Sequence, residues 1–145
     1  MIRFLSFLAL WFVQTTIDQY NALIGSTLDR GKTPAGGTSL TTGAQATLDA
    51  PVGGADFVTL TADLTGAASG DLTVQCFPFA ADGVTVLTTA IPAVTGVGYP
   101  PTLGGGHVDA VQQYNVQGID KVRFILKNNN AGTQTLNASW RTENY

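Results

Sequence analysis

The stretch KVRFILKNNNAGTQTLNASW, residues 121–140, holds two alternating runs around a turn. In the first run Val122, Phe124 and Leu126 fall on one side, against Lys121, Arg123 and Ile125 on the other. In the second, Gln134, Leu136, Ala138 and Trp140 share a face. A period of two is the signature of a pleated strand with one side buried. Between the runs, NNNAG supplies Asn and Gly, which tolerate positive φ, and reads as a hairpin turn.

The same style extends backwards. DFVTLTADL (56–64) sets Val58, Leu60, Ala62 and Leu64 against Phe57, Thr59, Thr61 and Asp63, and DLTVQCFPF (71–79) sets Leu72, Val74 and Cys76 on one side. AQATLDA, VTVLTTAI and HVDAVQQYNV add further strand-like runs, with GAASG and AADG as turns and PAVTGVGYPPTLGGG as a long Gly/Pro stretch. Strands every eight to twelve residues predict an all-β chain: an antiparallel two-sheet sandwich of about seven or eight strands, jelly-roll or immunoglobulin-like. Its expected core is Val58, Leu60, Leu72, Val74, Val122, Phe124, Leu136 and Trp140.

Composition agrees. The chain has 145 residues, one domain's worth, and only 12% are charged, against roughly 25% in ordinary soluble domains. Glu occurs once, at Glu143, and Lys only at Lys32, Lys121 and Lys127. A chain so poor in Glu and Lys cannot be mostly solvent-exposed helix, whereas Thr, Val and Gly suit strands and tight turns. The formal net charge is −3, and the few Lys and Arg are scattered. That argues against direct binding of nucleic acid.

The opening 24 residues depart from this pattern. Ile2 to Val13 is almost continuously apolar, too short to span a bilayer and followed by Gln14, Thr15 and Thr16. Leu10, Val13, Ile17, Tyr20 and Ile24 alternate in steps of three and four, as on a helix that packs against partners. Residues 1–24 are therefore expected to be an apolar, helical arm. Phe4, Leu5, Phe7, Leu8, Leu10, Trp11, Phe12, Val13, Ile17, Tyr20 and Ile24 would form its interface. A signal peptide, a membrane-contacting segment and a strand stay open as rival readings. Residues 25–43, GSTLDRGKTPAGGTSLTTG, read as a flexible linker, and 44–145 as the sandwich domain.

The chemistry of catalysis is sparse. Cys76 is the single cysteine and His107 the single histidine. Cys76 reads as a small core hydrophobe. His107, after three glycines, reads as an exposed residue at a strand start, since one His without partners cannot build a zinc site and Asp109 alone does not change that. The GGG run at 104–106 lacks the context of a phosphate loop, and no D-x-D-x-D-G calcium array is present. Several aspartates sit where turns or strand ends are expected. Trp140 is in phase with the core, whereas Tyr99 is the better candidate for an exposed stacking contact. No catalytic residue, cofactor or metal is expected.

LTADLTGAASGDLTVQCFPFAADG (60–83) and GIDKVRFILKNNNAGTQTLNASWR (118–141) resemble small β-sandwich proteins of tailed-phage particles: head decoration proteins, head fibres and minor structural proteins. The resemblance covers roughly residues 44–142 and rests on strand and turn style. It implies a structural role in the virion, a major capsid or other virion protein as partner, and a homo-oligomer, with the trimer favoured. It transfers no catalytic residue and does not include the opening segment. The rival expectation is a secreted or surface-anchored module that binds a carbohydrate or cell-surface ligand, with residues 1–24 as signal or anchor.

Overall fold

The computed structural model describes residues 30–32, 37–66 and 72–145. The arm expected at 1–24, with all its interface residues, lies outside them. Among the described residues nine strands run in the order β1 (Arg30–Lys32), β2 (Thr38–Leu40), β3 (Gln45–Pro51), β4 (Phe57–Thr65), β5 (Leu72–Pro78), β6 (Ala93–Gly104), β7 (His107–Asn115), β8 (Lys121–Asn128) and β9 (Gln134–Glu143). They form two antiparallel sheets. The larger has the order β1-β9-β4-β7-β6, with β2 also on β9, and the smaller is β3-β8-β5.

The pairs nest: β2 with β9, β3 with β8, β4 with β7. Nesting of this kind is what a long antiparallel ribbon acquires when it is rolled up, and it identifies the sandwich as a jelly roll rather than an immunoglobulin fold. From β2 to β6 and again from β7 to β9 each connection passes the chain from one sheet to the other, whereas β6 and β7 are neighbours in the larger sheet. NNNAG accordingly does not close a hairpin, because β8 and β9 lie in different sheets. The turn residues correctly mark a reversal, but a local turn signal says nothing about which sheet receives the next strand.

The core lies between the sheets, where the alternating faces meet. Val58, Leu60, Ala62 and Leu64 of β4, Leu136, Ala138 and Trp140 of β9, and Val122, Phe124 and Leu126 of β8 are all buried. Tyr114 of β7 packs on Phe124 with ring centroids 5.7 Å apart. Of the eight expected core residues only Val74 is half-buried, at a β5 position flanking the gap between β5 and β6.

Three local expectations give way to tertiary structure. The stretch read as a linker supplies two short strands, β1 and β2, both on β9, and Leu40 is buried in the core. Three-residue strands are too short to show a period. VTVLTTAI (84–91) is not a strand and keeps only the bridges Val86 to Phe79 and Ile91 to Cys76. Asp82 accepts from the backbone N–H of Val84 and Thr85 and from the Thr85 hydroxyl, so a side-chain-capped turn consumes the donors a ladder would need.

Conversely, the Gly/Pro stretch forms β6, the edge strand of the larger sheet, with shifts of register between Ala93 and Gly98 and between Tyr99 and Thr102. Pro100 and Pro101 are tolerated because an edge strand need donate to one side only. Gly98 is required by geometry: its φ is 72°, and a Cβ there would run into the backbone carbonyl of Val111.

Candidate functional site

Three polar clusters decorate the outer faces of the sandwich, and they differ in how fully their groups are used. On the smaller sheet, Asp49 of β3 stands opposite Arg123 of β8 and accepts both Nε (2.6 Å) and Nη2 (2.9 Å), with Lys121 Nζ at 3.4 Å. The Arg123 guanidinium beside Asp49 holds its carboxyl below the usual carboxylate range, outweighing partial burial. Lys121 and Arg123 also lie over the Phe79 ring, at 4.2 and 5.1 Å from its centroid. This cluster is saturated and structural.

At one end of the larger sheet, Glu143 is saturated too. Its carboxylate accepts from Thr59 Oγ1 (2.8 Å), Gln113 Nε2 (3.0 Å), Arg141 Nε (2.7 Å) and Tyr145 Oη (2.7 Å). Burial alone would raise its pKa, but Tyr145, Arg141 and Thr59 together hold it below the ordinary glutamate value. Nearby, Asp56 is held low by Gln117 and the Tyr145 N–H.

The opposite end of that face is different. Antiparallel pairing of β4 with β7 places Asp63 directly opposite Asp109 and Thr65 opposite His107. Asp63 Oδ1 lies 2.8 Å from His107 Nδ1, and the Thr65 hydroxyl donates to Asp63 Oδ2 at 2.9 Å. One ligand atom from each of Asp63, His107 and Asp109 falls within 4.8 Å of the others. His107 is thus half-buried and in hydrogen-bond contact with Asp63 rather than simply exposed. Its partner comes from a strand 44 residues earlier, and only the register of β4 against β7 reveals it.

The remaining candidates are placed plainly. Trp140 is in the core, and Cys76 is fully buried, with burial pushing its thiol up to about 12. Burial raises the Tyr114 phenol as well, and its hydroxyl donates to Gln112 Oε1. Tyr99 is 46% exposed on β6, beside Val97 (46%) and Leu103 (56%) of the same strand. A shallow groove of about 340 Å³ between β5 and β6 is lined by Leu72, Thr73, Val74, Pro101 and Gln112, none of them an acid, base or strong nucleophile.

No known family model matches the chain, and no curated protein does. Among solved structures it is similar to the SPBc2 prophage-derived protein YomS, at 18% identity over 77% of this chain and 94% of that one, with a TM-score of 0.35. It is similar to the infectious bursal disease virus Gx strain structure at 16% identity, covering 80% of this chain and 29% of that one, TM-score 0.35. It is also similar to Bacillus endospore appendages, described as disulfide-linked pili, at 14% identity, 82% and 90% coverage and a TM-score of 0.28. No residue role transfers from any of them.

Proposed function

We propose that this chain is a non-enzymatic structural protein of a virus particle, a phage capsid decoration protein or a minor capsid or fibre protein. Apolar residues 1–24 would dock it to a major capsid or other virion protein and into a homo-oligomer. The observation that carries this reading is the edge strand β6, which among the described residues bonds to β7 on one side only and exposes Val97, Tyr99 and Leu103. Unpaired edges with apolar side chains recruit neighbouring chains unless something covers them. The apolar opening segment supports the same conclusion, because a dozen large apolar residues gain association energy only when buried, at roughly 25 cal/mol per Å². The saturated Asp49 and Glu143 clusters and the buried Cys76 are consistent with a framework rather than a reaction centre. Jelly rolls occur in capsids and in lectins alike, so the fold by itself does not choose a function.

The test compares the full chain with one lacking residues 1–24, by light scattering and by binding to particles devoid of this protein. Assembly and particle binding by the full chain, with a folded monomer after truncation, is the expected result. Assembly undiminished by truncation would move the interface to the sandwich, and failure to bind any particle would remove the virion role. A secreted or surface-anchored carbohydrate-binding module is the second reading, favoured by the exposed Tyr99 ring. It requires glycan binding that Tyr99→Ala abolishes.

A further inference from the structure

Two aspartates directly opposite each other on adjacent strands repel, and such a pair is unfavourable unless a cation sits between them. Asp63 and Asp109 stand in that relation across β4 and β7. Elsewhere on the outer faces, Asp49 and Glu143 are filled by two and by four donors from surrounding side chains. At this end Asp63 has His107 and Thr65, while the Asp109 carboxylate has no hydrogen bond or ion pair among the described residues. An imidazole nitrogen and two carboxylates therefore converge on one small volume at the surface, all three side chains half-buried.

We propose that Asp63, His107 and Asp109 bind one divalent first-row transition ion, with Zn²⁺ as the reference ion. The donor set selects the class. Imidazole favours zinc and its neighbours over calcium or magnesium, which prefer all-oxygen sites, and two carboxylates neutralise the divalent charge. Metal–ligand bonds of about 2.0–2.2 Å put ligand atoms roughly 3.5 Å apart in a tetrahedron. The three groups lie within 4.8 Å of one another, so gathering around an ion shortens their separations by no more than roughly 1.3 Å. The ion would take the place between His107 Nδ1 and Asp63 Oδ1, with the imidazole in its Nε2–H tautomer so that Nδ1 is free to ligate. Water completes the coordination from the open side. Thr65 is the positioning residue, since its hydroxyl fixes Asp63 by the oxygen that does not face the imidazole. Three ligands on two neighbouring strands would pin β4 to β7 at the end where the chain turns through Gly104–Gly106, a stabilising clasp rather than a catalytic centre.

The experiment uses the untagged full chain. Because His107 is the only histidine, its ring resonances report the site without ambiguity. Titration with ZnCl₂, followed by imidazole NMR and calorimetry, should give saturable binding at one ion per chain with the His107 signals shifted. His107→Ala should abolish it. Asp109→Asn, which leaves the Asp63–His107 contact in place, should weaken it about tenfold or more, and Thr65→Val should weaken it less. An unshifted imidazole at millimolar Zn²⁺ would overturn the proposal, even in a chain whose circular dichroism shows it folded. So would affinity unchanged in folded His107→Ala, or Ca²⁺ binding more tightly than Zn²⁺.

Discussion

Asn128 Nδ2 donates to the backbone carbonyl of Leu40 at 2.9 Å, tying the last residue of β8 to the last residue of β2, 88 positions earlier and in the other sheet. The same amide reaches Gly132 O at 3.3 Å, and its oxygen accepts from the Asn130 N–H at 2.8 Å. One fully buried side chain thus closes the end of the sandwich where the chain crosses from sheet to sheet. Asn128→Ala leaves three backbone groups without that partner, so we expect a loss of about 2–4 kcal/mol in chemical denaturation. Asn128→Asp should also destabilise, because a carboxylate cannot donate to the two carbonyls. An alanine variant within 0.5 kcal/mol of the parent would show that water replaces the amide.

Cys76 should be inert in the folded protein. Burial raises its thiol from 9.0 to about 12, which leaves about a thousandfold less thiolate at a given pH, and the sulfur is shielded as well. Alkylation by iodoacetamide at pH 8 should therefore be negligible in native buffer and complete in guanidinium. Rapid native labelling would mean that β5 opens readily from β8.

The Asp49–Arg123 pair predicts a pH dependence. The folded-state pKa of Asp49 lies below its ordinary 3.8, so its contribution is fully present above that value and is lost as pH falls through the depressed one. Both side chains are about one-third exposed, and solvent screening limits the pair to about 0.5–1 kcal/mol. Asp49→Asn should cost that much at pH 7, with the gap from the parent closing on acidification below pH 3.8. A gap constant from pH 7 to pH 2 would assign the effect to packing rather than charge.

Gly98→Ala tests the architecture of the edge. Its positive φ and the adjacent Val111 carbonyl leave no room for a methyl group. Substitution should cost about 1–3 kcal/mol and concentrate in β6, with amide exchange accelerated at Tyr99 and Val111 while β8 stays protected. Uniform loss of protection would mean that β6 unfolds together with the core.

Alternation along 56–64, 121–127 and 134–140 was sufficient to establish strands, their buried faces and the all-β class, because a period of two is a local property of pleated backbone. It could not assign β8 and β9 to different sheets, since NNNAG reverses the chain equally well within a sheet or between sheets. Nor could it separate 84–91 from 93–104. The first alternates but commits its first two backbone donors, Val84 and Thr85, to Asp82, and the second lacks alternation because an exposed edge has no buried face to enforce one. The most consequential gap was His107. Alone in the sequence it has no partner, and only nested pairing, which sets β4 beside β7 in one register, carries Asp63 to within 2.8 Å of its ring and directly opposite Asp109. Local physics decided what each segment is; long-range pairing decided which side chains meet.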